Sequence, residues 1–261
     1  MANPVKPKHP KARSADRADK TVLYLYGITK SSVSVPQVLG VDDIAQIEPI
    51  PCAGLVCWIS RVPYSDFAEN LAKNIENLDW LAAMSVRHQR AVSAIAEASE
   101  ILPARFGTIF LDESSLTTDI KSRKSALEAD FKRVQGSEEW GVKVFALPPQ
   151  ATPLPANVRT GKDYLQAKSA MLRKRPTQKE DEEIKSFAEA LKKISVATAE
   201  GGSISGGRRD LTYQVSLLLK KANRQELEAL LGRYSTQWKG TRKVECTGPW
   251  PPYSFVSRSI Q

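Results

Sequence analysis

Few side chains in this 261-residue sequence could act as general acids or bases. Histidine, whose pKa lies closest to neutral pH, occurs only at His9 and His88. His9 lies in a stretch rich in Lys and Pro, whereas His88 lies on the apolar face of a predicted helix. A single histidine in such a position is more often a hydrogen-bonded core residue than a general base. We therefore interpret His88 as structural, with general-base catalysis as the less favoured alternative.

Three cysteines, Cys52, Cys57 and Cys246, could act as nucleophiles or metal ligands. None of them is next to a histidine in the sequence, and the chain has no Gly-x-Ser-x-Gly nucleophile motif. Cys52 and Cys57 are close in sequence, but a zinc site would need a second close cysteine pair or a His-x-x-x-His spacing. An odd number of cysteines without an export signal favours reduced thiols in the cytoplasm. The sequence predicts no catalytic residue, no metal site and no cofactor.

The glycine-rich segment at residues 201–207 (GGSISGG) has the composition of a phosphate-binding loop but not its context. A phosphate-binding loop follows a strand, opens a helix and ends in Gly-Lys-Ser/Thr. This segment follows a predicted helix, precedes a predicted strand and continues into Arg208-Arg209. We predict a flexible loop without a phosphate site.

We interpret two groups of charged residues, Arg105 and the pair Glu138-Glu139. Arg105 follows Pro103 at the entry to an otherwise apolar strand, so its guanidinium must leave the core or meet a carboxylate or backbone carbonyls. We favour an arginine that ties strand to helix over recognition of a partner, and the change Arg105→Ala should then lower the midpoint of thermal unfolding. An unchanged midpoint with loss of partner binding would favour recognition. Glu138 and Glu139 are predicted to lie on the solvated surface.

The composition predicts a water-soluble folded protein with a basic tail. Hydrophobic residues make up 41% of the chain, and no run of about twenty apolar residues could span a membrane. Residues 1–20 hold six Lys and Arg against two Asp, a net charge of +4, which leaves +5 of the total +9 for the rest. This segment has too few apolar residues to offset the entropy of ordering and no apolar centre of a signal peptide, so we predict disorder.

Periodicity predicts an N-terminal α+β region over residues 21–136. The predicted strands are residues 21–28, 54–60 and 104–110, and the predicted helices begin at 66, 79 and 112. In the helix at 79–99, the predicted core side chains are Leu81, Ser85, His88, Val92 and Ile95. In the helix that follows, they are Leu116, Ile120, Leu127, Phe131 and Val134.

A second α+β region is predicted over residues 137–261. Its predicted strands are residues 141–147, 211–219 and a last one from 242, and its predicted helices are 162–176, 178–198 and one from 223. Four prolines between residues 148 and 155 predict an irregular crossing. The order of these predicted strands and helices along the chain is close to a ferredoxin-like split β-α-β arrangement in which one strand is missing or short.

The predicted fold class is α+β with two domains after a disordered basic tail at residues 1–20. The N-terminal domain, residues 21–136, has a small mixed sheet with helices on one face. The C-terminal domain, residues 137–261, is a modified ferredoxin-like domain with a helical insertion and a flexible loop near 200–208.

The C-terminal segment 247–256 (TGPWPPYSFV) has a sequence that disfavours regular secondary structure. Three prolines and a glycine limit it to an irregular edge or the end of a strand. Trp250, Tyr253 and Phe255 supply apolar area that can hold such a segment on a domain. We favour this structural lock over the alternative, a partner-docking surface of aromatics and prolines.

Five stretches of the sequence form a recognisable series. They are residues 23–28 (LYLYGI), Arg87-His88 followed by 102–108 (LPARFGT), 140–145 (WGVKVF), 161–165 (GKDYL) and the C-terminal 247–256. In this order they resemble the gas vesicle accessory protein family GvpF/GvpL, over residues 21–256. Ala104 stands where that family commonly has Leu, which is a packing change.

The resemblance implies a gas vesicle assembly or nucleation accessory protein without catalytic activity. Its implied partners are the small hydrophobic gas vesicle shell protein and other gas vesicle accessory proteins. The lack of a long apolar run argues against a membrane partner, and the concentration of nearly half the net charge in residues 1–20 disfavours nucleic acid. The resemblance implies a chain that is monomeric alone, cytoplasmic and associated with gas vesicles, and it leaves the partner-binding residues unknown. The alternative is a basic nucleic-acid or regulatory binding module, which would need Lys and Arg on one folded face with aromatic platforms.

Overall fold

The structure, a computed structural model, describes residues 20–148, 178–200 and 210–257. It divides into two compact units, with Met1–Phe131 and Ser257–Gln261 in unit 1 and Lys132–Val256 in unit 2. The domain bounds 21–136 and 137–261 stay a prediction about which segments fold on their own. Residues 1–19, the helix predicted at 162–176 and the loop at 201–207 lie outside the described residues.

Unit 1 contains an antiparallel sheet with helices. Its strands are β1 (Thr21–Thr29), β2 (Glu48–Cys52), β3 (Leu55–Pro63), β4 (Ile101–Pro103) and β5 (Ile109–Phe110). Its helical elements are a π-helical turn (Ser65–Glu69), α1 (Leu71–Glu76), α2 (Leu78–Ala98), α3 (Glu113–Ser122) and α4 (Lys124–Val134), whose last residues belong to unit 2. The strand order is β2-β3-β1-β4, with β5 also paired to β1. The predicted α+β class is confirmed, but all the described pairings are antiparallel, so this sheet is not the mixed one predicted.

Helices cover both faces of this sheet, not the one face predicted. The tyrosine hydroxyl of Tyr24 in β1 contacts His88 of α2 on one face. Ser60 lies opposite Tyr24, so strand alternation places Cys52 of β2 on the other face, where its thiol contacts Thr117 of α3. The physical reason is the composition of β1, which is buried from its second residue to its last.

Strand β2 was not predicted because Pro49 and Pro51 remove two backbone donors from it. The structure accommodates both prolines because β2 is the edge strand of its sheet and pairs only with β3. The strand predicted at 104–110 is wrong: β4 ends at Pro103, a turn follows, and β5 has two residues.

The helix predicted at 79–99 is α2, and Asn77 caps it by accepting hydrogen bonds from the amides of Asp79 and Trp80. Its buried residues are Met84, His88, Ala91, Val92 and Ile95, whereas Ser85, predicted to face the core, is exposed. The predicted helix from 112 breaks at Arg123 into α3 and α4, and its five predicted core residues are all buried.

Unit 2 is a ferredoxin-like sheet with two helices in its described part. Its strands are β6 (Ser137–Ala146), β7 (Ala197–Glu200), β8 (Leu211–Lys220) and β9 (Arg242–Trp250), and its helices are α5 (Gln178–Ile194) and α6 (Arg224–Gln237). The antiparallel order β7-β8-β6-β9 with the chain order β-α-β-β-α-β is the ferredoxin-like plan. The shortened strand is β7, whose first two residues fall within the helix predicted at 178–198.

Aromatic side chains fill the core of unit 2. The ring centroid of Phe187 on α5 lies 4.7 Å from that of Tyr234 on α6 and 5.1 Å from that of Trp238, which caps the C-terminal end of α6. These rings pack with Leu217 of β8 and Val142 of β6. The cluster fixes both helices to one face of the sheet.

Candidate functional site

Two of the five sequence stretches, residues 23–28 and Arg87-His88 with 102–108, meet in one cluster in unit 1. The Nδ1 atom of His88 lies 3.0 Å from the hydroxyl oxygen of Tyr24, which also accepts a 3.0 Å hydrogen bond from the Gly107 amide. The His88 ring has a further hydrogen bond to the backbone of Ala104, and the Phe106 ring packs edge-on against it at 5.9 Å. Strand β1, helix α2 and the turn after β4 are thereby held together.

His88 is uncharged at neutral pH in this cluster. Burial lowers its pKa to about 4, and the hydrogen bond to the Ala104 backbone opposes this change only in part. A neutral imidazole offers Nδ1 as an acceptor to the Tyr24 hydroxyl, while its other nitrogen donates to the backbone carbonyl. The interpretation of His88 as a hydrogen-bonded core residue is confirmed.

The glycine of the LYLYGI motif is required by close packing. A Cβ atom on Gly27 would lie 2.8 Å from the carbonyl oxygen of Leu102, closer than real Cβ contacts allow. Gly27 pairs with Pro103, which precedes the turn that carries Arg105.

Arg105 stands outside the core, on a turn whose backbone is fixed. The Ala104 amide donates to the Tyr26 carbonyl at 2.8 Å, and the Thr108 carbonyl accepts from the Leu25 amide at 2.9 Å. The Arg105 side chain is exposed and makes no hydrogen bond or ion pair within the described part of the chain. The favoured interpretation, an arginine tying strand to helix, is not supported, and the recognition alternative fits the exposure better.

The change Arg105→Ala is therefore expected to leave the midpoint of thermal unfolding within about 1 °C of the wild-type value, since exposed substitutions of this kind cost little. The control is Arg123→Ala, which removes a 2.7 Å ion pair with Asp119 that is largely shielded from solvent. We expect Arg123→Ala to lower the free energy of unfolding by about 1 kcal/mol, which should lower the midpoint of thermal unfolding by about 2 to 4 °C. Circular dichroism melting curves measure both; a large drop for Arg105→Ala would restore the structural interpretation.

Arg87, the neighbour of His88 in the sequence motif, holds a loop beside α2. Its guanidinium donates to the Val41 carbonyl at 3.2 Å and lies 3.5 Å from the Asp43 carboxylate. Arg90 binds the same carboxylate at 3.0 Å. The Val41 amide donates to the Tyr26 hydroxyl at 2.8 Å. The loop that contains Val41 and Asp43 is thus held by Tyr26 of the sheet and by the two arginines of α2.

Three apolar side chains on α2 lie in solvent at a spacing of four residues, and we call them the α2 apolar surface: Leu78, Ala82 and Val86. Leu78 is 77% exposed, Val86 is 70% exposed, and Ile44, on the loop held by Arg87 and Arg90, is 78% exposed. Ala82 is exposed between Leu78 and Val86, at the helical spacing of four residues. Sequence reasoning missed this surface, although the apolar series 78, 82 and 86 is visible opposite the core stripe.

In unit 2, the C-terminal segment is held by a buried carboxylate. Glu139 accepts hydrogen bonds from the amide and the hydroxyl of Ser254, at 2.8 and 2.6 Å. The Phe255 carbonyl accepts a 3.0 Å hydrogen bond from Arg133, and the Phe255 ring is buried. Trp250 is 44% exposed, so it contributes less to this lock than predicted. The predicted structural lock agrees with these contacts at Ser254 and Phe255.

Glu138 and Glu139 are buried, which corrects their predicted place on the solvated surface. Strand β6 begins at Ser137, so both are strand residues. Glu138 accepts from Trp140 Nε1 at 2.9 Å and forms a 2.8 Å ion pair with Arg224, which supplies the positive charge that a buried carboxylate needs.

The glycine of the C-terminal motif is required by its backbone. Gly248 has a φ of +136°, and a Cβ atom there would lie 2.8 Å from the Glu139 carbonyl oxygen. The peptide bond to Pro249 is cis.

The thiols are poor candidates for nucleophiles or metal ligands. Burial and the neighbouring Cys52 raise the pKa of Cys57 far above its usual range, and burial raises the pKa of Cys246 to about 11. Within residues 20–148, 178–200 and 210–257, no group of three or more His, Cys, Asp or Glu side chains is arranged to hold a metal ion.

Among the described helices, none has both the length and the apolar character that crossing a lipid bilayer requires.

Comparison with known proteins gives consistent matches over most of the chain. The chain is 30% identical over 215 residues to gas vesicle protein L of Streptomyces sp. (strain CB03234), an alignment that covers 77% of this chain and 80% of that protein. It is 20% identical over 238 residues to gas vesicle protein F1 of Halobacterium salinarum (strain ATCC 700922 / JCM 11081 / NRC-1), with 91% and 94% covered.

Two crystal structures share the fold. The gas vesicle protein GvpF from Anabaena sp. PCC7120 matches with a TM-score of 0.64 at 18% identity, covering 92% of this chain and 99% of that one. GvpF from Microcystis aeruginosa matches with a TM-score of 0.64 at 17% identity, covering 91% and 99%. The profile of the family described as "Gas vesicle synthesis protein GvpL/GvpF" matches residues 22–257. The chain belongs to the GvpL/GvpF family of gas vesicle proteins, as its sequence motifs predicted.

Proposed function

We propose that this protein is an assembly and nucleation factor that binds the small hydrophobic gas vesicle shell protein and other gas vesicle accessory proteins. It does so in the cytoplasm as a chain that is monomeric alone, and it acts by binding without catalysis. The family gives the general setting, an accessory role in gas vesicles. The observation that carries the finer proposal is the α2 apolar surface, because clustered apolar side chains in solvent mark sites of protein interaction.

The residues that could do chemistry support binding over catalysis. His88 and Cys57 are buried, and each has its pKa moved away from the neutral range where it could exchange protons. The hydrogen bond and the ring contact between His88 and Tyr24 hold α2 and β1 of unit 1 together. A factor that holds a shell subunit before it joins the growing vesicle would limit premature aggregation of that subunit and would need surfaces for this, not nucleophiles.

The described sheet edges are poorly suited to hold a shell subunit by strand addition. At the edges of the unit 1 sheet, β2 carries Pro49 and Pro51, and β4 and β5 have only three and two residues. In unit 2, the edge strand β9 carries Pro249 next to its last residue. The opposite edge of unit 2 is β7, which has four residues. Prolines and short length are devices that prevent an edge from pairing with another chain. A helix face is therefore the better candidate for the contact.

A pull-down of the purified chain tests the proposal, with and without residues 1–20, against the shell protein and the other accessory proteins. We expect both forms to retain the shell protein, since the contact lies in the folded part. If neither form bound any vesicle component, the proposed function would fall. Retention of nucleic acid by the full chain alone, with a steep dependence on salt, would instead support the basic binding module.

A further inference from the structure

Arg105 differs from every other arginine within residues 20–148, 178–200 and 210–257. Each of the others has a carboxylate, a backbone carbonyl or an aromatic ring beside its guanidinium: Arg61, Arg87, Arg90, Arg123, Arg133, Arg224, Arg233 and Arg242. Arg105 is exposed and makes no such contact in this described part of the chain. A guanidinium that binds nothing inside the fold keeps all its N–H donors for a group outside it.

The turn that carries Arg105 is nevertheless fixed. The Arg105 carbonyl accepts hydrogen bonds from the amide and the hydroxyl of Thr108, at 3.2 and 2.8 Å. The next side chain, Phe106, packs edge-on against Tyr24, and the Gly107 amide donates to the hydroxyl of the same tyrosine. The backbone of Arg105 is thus in place before a partner binds, so binding costs little backbone entropy.

The positive charge of Arg105 is not balanced by the groups around it. Arg105 is the only charged residue between Glu100 and Asp112. The Tyr24 hydroxyl and the neutral His88 ring, which hold the turn, carry no charge. An uncompensated guanidinium favours an anionic group, and its planar fork can bind a carboxylate with two parallel hydrogen bonds.

The neighbours of Arg105 favour a protein partner over a nucleic acid. A nucleic-acid surface needs several Lys and Arg with free aromatic rings, whereas residues 101–111 contain no second basic residue. The adjacent ring, Phe106, is half-buried and packed on His88. Ala104 and Phe106, on either side of Arg105 in the chain, are apolar, so a partner that docks there excludes water from an ion pair. A mainly apolar partner surface with one acidic side chain fits this combination.

We propose that Arg105 binds the carboxylate of an acidic side chain of the gas vesicle shell protein. This inference rests on the proposed function, because it names a residue by which the shell protein is held. The α2 apolar surface supplies apolar area for the contact, whereas Arg105 selects a partner that has a negative charge at one position.

The test uses the full-length chain with an affinity tag, co-expressed with the shell protein, and measures the shell protein retained after washes at low and at high salt. Arg105→Ala removes the guanidinium, Arg105→Lys keeps the charge but loses the planar fork, and Arg105→Glu reverses the charge. The matched control is Arg233→Glu, which makes the same change of charge at an exposed arginine of α6. Circular dichroism melting curves show whether each variant is folded.

We expect about tenfold less shell protein with Arg105→Ala, a larger loss with Arg105→Glu, a smaller loss with Arg105→Lys and no change with Arg233→Glu. High salt should reduce retention by the wild-type chain more than retention by Arg105→Ala, because salt screens the ion pair that only the wild-type chain forms.

Equal retention by the wild-type chain and Arg105→Ala would overturn this contact and leave the proposed function intact. No retention by the wild-type chain would instead remove the proposed function. An equal loss with Arg233→Glu would assign the effect to net charge and overturn the contact as well. Nucleic acid that the wild-type chain retains and Arg105→Ala loses would replace the carboxylate by a phosphate and overturn the proposal.

Discussion

Lowering the pH from 6.5 to 4 is expected to destabilise unit 1 through His88. Its pKa in the folded protein is about 4, against an ordinary value of 6.5 that we take for the unfolded chain. In this window the unfolded state binds a proton that the folded state does not, so stability falls as the pH falls. The stability that depends on neutral His88 is fully present above pH 6.5 and is lost as the pH falls to 4. One pKa unit corresponds to about 1.4 kcal/mol, so the loss approaches about 3 kcal/mol.

The measurement is the free energy of unfolding in urea at several pH values, for the wild-type chain and for His88→Gln. The variant lacks the titrating group, so we expect it to be less stable at pH 7, where it loses the contacts to Tyr24 and Ala104, and to show a flatter profile between pH 6.5 and 4. His9 and the carboxylates are common to both chains and cancel in the difference. Parallel profiles would contradict the assignment of the neutral, buried state to His88.

Much of the fold could be predicted from the sequence because its long elements have strong periodicity. Helix α2 and the core residues of α3 and α4 follow spacings of three and four, and the alternation in β8 defines a strand. The short elements could not be found in this way. β7 has four residues directly after α5, and β2 contains two prolines, so tertiary pairing decides both.

The candidate site was harder to predict than the fold, for a physical reason. Leu78, Ala82 and Val86 are apolar like the core residues, so the first half of α2 is apolar on most of its circumference. Periodicity then fails to show which side faces the sheet, and Ser85 was assigned to the core although it is exposed. Arg105 was predicted to lie at the entry to a strand. Its exposure depends on a turn that interrupts this predicted strand.

Unit 2 is expected to respond very differently to the loss of two aromatic side chains in its C-terminal segment. Phe255 is buried, so Phe255→Ala leaves a cavity and should lower the free energy of unfolding by about 3 to 4 kcal/mol. Trp250 is 44% exposed, and Trp250→Ala should cost about 1 kcal/mol or less. The comparison tests the structural lock directly, because a surface made only for docking would make both changes mild.

Urea unfolding followed by circular dichroism measures both variants, and a third variant, Ser254→Ala, tests the polar half of the lock. It removes the hydroxyl that donates to the buried Glu139 carboxylate but keeps the amide bond, so we expect an intermediate loss of about 1 to 2 kcal/mol. Equal losses for Phe255→Ala and Trp250→Ala would mean that the segment is not held as described. If Trp250→Ala left stability unchanged but weakened retention of the shell protein, the exposed tryptophan would be a second contact, separate from the α2 apolar surface.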